Sequence, residues 1–119
     1  MSYRTPLIVR AILCDRFPAA FCAKGKPKKP LKIGIRHDLV ALCPDLKKGE
    51  IGRALQDYTR GPTYLRAMTA GAFRVDLEGQ PAGAVTAAEA ETAAKMLEPI
   101  LAGMAARRAQ AEPARDAAE

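Results

Sequence analysis

Four lysines in six positions, Lys24, Lys26, Lys28 and Lys29, lead directly into Lys32. Gly25, Pro27 and Pro30 forbid regular structure among them, so the segment is a loop rich in ammonium groups. Arg74 stands on a distant stretch, Ala72–Leu77, where Phe73, Val75 and Leu77 alternate with Arg74 and Asp76. Leu31-Lys32-Ile33 alternates in the same way and reads as a short strand with Lys32 opposite its two apolar neighbours. If the two strands adjoin, Lys32 and Arg74 hold fixed positive charges side by side. That arrangement is costly unless an anion such as phosphate bridges them; the bland alternative has each pointing separately into water.

A helix over 48–59 adds a third basic group. Lys47 and Lys48 stand at its start, and Arg53, Gln56 and Arg60 fall together on its polar side. Cations at a helix N-terminus oppose the macrodipole, so stability alone does not place them there; the open N–H groups can also receive a phosphate. Tyr64 follows the Gly61-Pro62 break, near Arg60 and Arg66. Its ring can stack on an unpaired base or meet a ribose hydroxyl, or it is simply a half-buried member of a short helix.

Catalysis finds little support. There is one histidine, His37, and no nucleophile elbow, phosphate-binding glycine loop, dinucleotide fingerprint or metal-binding pair. Glu89 and Glu91 are two apart and do not share a helix face. Cys14, Cys22 and Cys43 are odd in number and match no common zinc spacing, so they read as isolated thiols. No enzyme activity, metal, cofactor or small-molecule substrate is expected.

The charge is unevenly distributed. Residues 1–66 carry 14 Lys/Arg against 5 Asp/Glu, and residues 67–119 carry 5 against 8. A basic half joined to a mildly acidic one points to a polyanionic partner. No apolar run approaches the roughly 20 residues of a membrane span, and Arg10 interrupts Leu7-Ile8-Val9 too early for a secretory signal. A cytoplasmic protein without a membrane partner is the expectation.

These groups need elements to hold them. Thr5-Pro6 caps a first helix, with Leu7, Ile8, Ala11, Ile12 and Phe17 as its apolar spacing. Ile35, Leu39, Val40 and Leu42 suit a second helix that ends before Pro44. Ile51, Ala54, Leu55 and Tyr58 define the buried stripe of helix 48–59, and Pro62 opens a short helix through Tyr64, Leu65 and Met68. The strand around Arg74 returns through Glu78-Gly79-Gln80-Pro81 into Ala82–Val85 as a hairpin. Thr86-x-x-Glu89 is a capping box, opening a last helix that buries Ala90, Ala93, Ala94, Leu97, Ile100, Leu101 and Met104. Pro99 is expected to kink that helix or end its first part. The fold class is α/β and mainly helical, with about five helices and short strands including a hairpin. One domain spans 1–104, followed by a frayed or disordered tail over 105–119.

Five motifs in unbroken order carry a family resemblance over about residues 10–100. Arg16-Phe17-Pro18-x-x-Phe21 is followed by Pro30-Leu31-Lys32-Ile33-Gly34-Ile35-x-x-Asp38-Leu39. Ala54-Leu55-x-x-Tyr58-Thr59, Tyr64-Leu65 and Arg74-Val75-Asp76-Leu77-x-Gly79 complete the set. Together they resemble the ProQ/FinO domain. The resemblance implies an RNA-binding protein that acts as an RNA chaperone or small-RNA stabiliser. It would grip the base of a terminator-like hairpin and its single-stranded 3′ tail on a concave basic face. Lys29, Lys32, Lys48, Tyr64 and Arg74 would line that face, with Gly34, Ile35 and Asp38 at a helix start near the pocket for the RNA end. Arg53 and Arg60 join the candidate set from the polar side of helix 48–59.

The chain departs from the family where Gly52, beside Arg53, replaces a frequent arginine and Gln56 takes an often basic position. This implies a weaker or shifted grip on the duplex. The basic N-terminal extension and C-terminal domain of larger relatives do not occur in these 119 residues, so no strand exchange is inferred. A monomer is expected. The alternatives are a protein-interaction adaptor with a basic face and a non-specific DNA binder. Alanine at Tyr64 or Arg74 is expected to weaken RNA binding while leaving the fold intact.

Overall fold

The computed structural model describes residues 3–22 and 26–117, with side chains as far as residue 110. Lys24 of the lysine loop and the end of the tail lie outside the described residues. The elements are α1 (Pro6–Arg16), α2 (Ile35–Leu42), α3 (Lys48–Thr59), α4 (Pro62–Ala67), β1 (Phe73–Val75), β2 (Pro81–Ala84) and α5 (Ala87–Ala117). α3 is central. It packs against α1, α2 and α4, and α5 packs on α4.

The caps act as their residue types dictate. The Thr5 hydroxyl accepts from the Ile8 N–H at 3.4 Å, and Pro6 fills the first turn of α1. The α3 stripe is also as expected, with Ile51, Ala54 and Tyr58 buried and Leu55 half-buried. The Tyr58 ring meets Phe21 edge-on at 5.1 Å and Tyr64 at 5.9 Å, an aromatic chain at the centre of the core.

The buried face of α1 differs from expectation. Val9 and Leu13 are buried one turn apart, whereas Leu7 is 62% exposed and Ile8 51%. Burial of Val9 and Leu13 sets the rotation that turns Leu7 and Ile8 outward, and the Arg10–Asp57 ion pair, 2.8 Å long, ties α1 to α3 in that orientation.

The segment around Lys32 is not a strand of its own. Leu31 forms an isolated parallel bridge to Val75, and Gly34 at φ 86° turns the chain into α2. Ile33 is exposed beside it. In the hairpin, Phe73 pairs with Ala84 and Val75 with Pro81, and the register shifts between the two pairs. Two steps on β1 face three on β2, so the extra residue lies in β2 and β1 keeps its alternation. Val75 is buried in the core, Arg74 on the opposite face is buried beside Glu89 of α5, and Phe73 faces solvent, the last two against expectation. Asp76 Oδ1 accepts from the N–H groups of Glu78 and Gln80, and Gly79 takes a φ of 81° to close the turn.

α5 continues through Pro99 rather than ending there. Of its expected apolar stripe only Ala93 is buried, and Ala94 and Leu101 are exposed. α5 lies over α4 and is otherwise open to solvent, so its alanine-rich sequence reflects helix propensity more than core packing.

Candidate nucleic-acid interface

Four elements converge on a cavity of about 350 Å³. Its lining includes Arg60 after α3, Tyr64 of α4, Arg74 of β1, and Glu89 and Met96 of α5. Three of the candidate residues are thus brought together here. Tyr64 and Arg74 also hold one and the same residue. The Tyr64 hydroxyl accepts from the Leu31 N–H at 3.0 Å, and Arg74 Nη1 donates to the Leu31 carbonyl at 2.8 Å. The Pro30–Lys32 segment is fixed further by Val75, whose N–H donates to Pro30 and whose carbonyl accepts from Lys32. The Tyr64 ring is 6% exposed, so it supports the site from beneath and offers no open face to a base.

Arg74 is buried, and its donors are unequally occupied. Nη2 pairs with Glu89 Oε2 at 3.1 Å, while Nε has no hydrogen-bond partner among the described residues. Buried donors without a partner are rare in folded proteins, so this one calls for an explanation. Glu89 serves two roles, because its Oε1 accepts from the Thr86 N–H at 2.9 Å in the capping box of α5. The strand that supplies Arg74 and the helix that carries its counter-charge are therefore joined at one carboxylate.

Lys32 lies on the other side of the bridged segment. Its backbone is adjacent to β1, the condition for setting two cations side by side, but Lys32 and Arg74 do not form a pair of bare cations. Lys32 Nζ donates to Asp38 Oδ2 at 2.9 Å, just as Arg74 has Glu89. Gly34 is the left-handed N-cap of α2, Ile35 is buried behind it, and Asp38 stands in the first turn. Lys32 and Asp38 line a second cavity, of about 300 Å³, with Asp76 and Glu78. Lys29 is exposed and lies with Phe21 and Gly79 along a third. Lys28, by contrast, is buried. Its Nζ donates to the Thr63 hydroxyl and sits 5.1 Å from the centre of the Tyr58 ring, and burial lowers its pKa.

Lys48 and Arg53 are exposed on α3, apart from both cavities. The unfavourable cations at this helix start are answered by Glu50, which is buried and accepts from the Lys47 N–H at 2.9 Å and the Arg4 N–H at 2.8 Å. These bonds hold the Glu50 carboxyl below the usual range, and the Thr86 N–H followed by Arg74 does the same for Glu89. A depressed carboxyl pKa contributes stability that is complete above the unfolded value and is lost as pH falls through the folded one. Thermal stability is therefore expected to decline progressively below about pH 4, with a shallower decline in Glu50→Gln. An identical decline in that variant would assign the effect to other carboxylates.

Comparison with known proteins gives these features a context. The pattern of the ProQ/FINO family matches residues 6–110. The chain belongs to the ProQ/FINO family. Two curated relatives named RNA chaperone ProQ, from Histophilus somni strains 2336 and 129Pt, are each 44% identical over 102 residues, covering 83% of this chain. Those residues are 48% of each relative, so the chain spans about half the length of these curated relatives. The solution structure of a ProQ homologue from Legionella pneumophila matches with a TM-score of 0.70 at 33% identity, covering 83% of this chain and 85% of that one. The crystal structure of a FinO-like RNA chaperone from Neisseria meningitidis matches with a TM-score of 0.64 at 27% identity, covering 87% and 82%.

The names these relatives carry are those of RNA chaperones and not of enzymes. Among the described residues no helix is long and apolar enough to cross a membrane, and no three His, Cys, Asp or Glu residues are grouped to hold a metal ion. The three cysteines are free thiols. Within this ProQ/FINO domain, Glu89, Arg36 and Tyr3 neighbour the candidate residues and were not expected there. Glu89 was legible only as a capping residue. Arg36 and Tyr3 gave a weaker signal, through the glycines in α3 that make room for them.

Proposed function

We propose that this domain, centred on residues 1–104, binds structured RNA at the base of a terminator-like hairpin and along its single-stranded 3′ tail. In that capacity it would act as an RNA chaperone or small-RNA stabiliser. The observation that carries the reading is the cavity joining Arg60, Tyr64 and Arg74, with a buried guanidinium that retains an unpartnered N–H. Arg60, Lys29, Lys48 and Arg53 are exposed and supply phosphate contacts. Arg74 and Tyr64 hold the Leu31 backbone from its carbonyl and its N–H and so set the position of Lys32.

The second cavity suits an RNA end. Asp38, Asp76 and Glu78 outnumber Lys32 there, so hydroxyl donors are favoured over another negative group. A terminal ribose with free hydroxyls fits this lining better than a terminal phosphate. Gly34 and Ile35 shape the backbone beside it.

The test is binding to a terminator hairpin with its 3′ tail intact, trimmed, or ended by a 3′-phosphate. Trimming and phosphorylation are each expected to weaken binding, and affinity is expected to fall steeply with salt because phosphate contacts dominate. Equal affinity for all three RNAs would remove the 3′-end assignment. Equal affinity for duplex DNA would favour a non-specific DNA binder, and a flat salt response would exclude a phosphate-dominated face.

A further inference from the structure

Gly49 and Gly52 lie three residues apart in α3, on one face of the helix, and each accommodates a side chain from elsewhere. A Cβ at Gly49 would come within 2.7 Å of the Tyr3 ring, and one at Gly52 within 3.1 Å of the Arg36 guanidinium. Glycine is a poor helix former, so two in one short helix oppose its local stability. Here they open space for a tyrosine and an arginine to lie against bare backbone.

The Tyr3 ring is held in place. The next residue, Arg4, is fixed to buried Glu50 through its backbone N–H at 2.8 Å and its Nε at 3.2 Å. Arg53 lies 4.9 Å and Lys47 Nζ 5.3 Å from the ring centre, yet the residue remains 42% exposed. Arg36 reaches over from α2 to donate to the Lys48 carbonyl at 3.4 Å. An exposed aromatic ring among cations has the chemistry of a platform for an unpaired base, with guanidinium and ammonium groups for the adjoining phosphates.

We propose that Tyr3, seated over Gly49 between Lys47 and Arg53, stacks an unpaired nucleotide of the bound RNA, and that Arg36 over Gly52 contacts a neighbouring phosphate. This subsite rests on the RNA-binding reading and extends it to a face remote from the two cavities described above. Its ligand is single-stranded RNA flanking a hairpin. An acidic protein would use the cations but gain little from the ring.

The experiment measures affinity of the full chain for one RNA hairpin in two forms, with unpaired flanks at both ends and blunt. Tyr3→Ala is expected to lower affinity for the flanked form roughly tenfold, with little change for the blunt form, and Tyr3→Phe to retain wild-type binding. Gly49→Ala keeps the tyrosine but removes its seat, so it is expected to copy Tyr3→Ala in binding without lowering the melting temperature. Arg36→Gln is expected to reduce the salt dependence by about one charge. Wild-type affinity of Tyr3→Ala for the flanked hairpin would overturn the subsite, as would equal losses on both forms. If the wild-type chain bound neither form, the RNA-binding reading itself would fall.

Discussion

Tyr64→Ala is expected to destabilise the domain by about 3–5 kcal/mol, the range for deleting a buried aromatic side chain. The ring packs edge-on against Tyr58 at 5.9 Å, and the hydroxyl accepts from the buried Leu31 N–H at 3.0 Å. The alanine variant loses both and leaves that donor without a partner. Tyr64→Phe keeps the ring and loses only the hydrogen bond, for which about 1–2 kcal/mol is expected. Urea unfolding of the two variants checks the difference; a cost below about 1 kcal/mol for alanine would place the ring outside the core. This revises the expectation that alanine leaves the fold intact. With native stabilities of about 5–15 kcal/mol, lost RNA binding in Tyr64→Ala would mix unfolding with any lost contact. The phenylalanine variant separates the two, by testing whether the Leu31 peptide must be held for RNA to bind.

The sequence was most legible where local chemistry decides local structure. Thr5-Pro6, Gly61-Pro62 and Thr86-x-x-Glu89 marked helix starts because caps act within one turn. The α3 stripe was clear because Ile51, Ala54 and Tyr58 are the apolar residues on one side of an otherwise polar helix. α1 was harder, since Leu7, Ile8, Val9, Ala11, Ile12 and Leu13 offer more than one apolar face. The choice between them falls to contacts with α3, such as Arg10 with Asp57. Phe73 was misplaced because alternation assigns a residue to a face but not to the covered part of it: Val75 is buried and Phe73, two residues earlier, is exposed.

The site was legible as a set of residue types but not as a set of partnerships. Lys32, Tyr64 and Arg74 could each be selected from charge, strand spacing or position after a break. That Tyr64 takes the N–H and Arg74 the carbonyl of one residue, Leu31, depends on contacts 33 and 43 residues apart. The same holds for Tyr3 over Gly49 and for Arg36 over Gly52. A glycine inside a helix signals a close approach without identifying what approaches.

Arg74 has the largest expected effect on function. Arg74→Ala is expected to weaken RNA binding by about 1–3 kcal/mol, and Arg74→Lys by nearly as much. The reason is geometric. One planar guanidinium donates to the Leu31 carbonyl through Nη1 and to Glu89 through Nη2, with Nε still unpartnered. A lysine ammonium keeps the charge but concentrates it on one flexible atom, without the fixed fork that serves these directions together. The alanine variant also leaves the Leu31 carbonyl without its side-chain donor, at a stability cost of about 1–3 kcal/mol. Binding is therefore to be measured well below each variant's melting temperature. If Arg74→Lys binds RNA like the wild type, position 74 contributes charge alone, and the hold on Leu31 plays no part in recognition. If both variants fail to bind while remaining folded, the guanidinium geometry is what the RNA requires. Glu89→Gln then distinguishes the two uses of that guanidinium. It removes the negative charge that competes with phosphate for Arg74, so tighter RNA binding by a less acid-sensitive domain is the expected outcome.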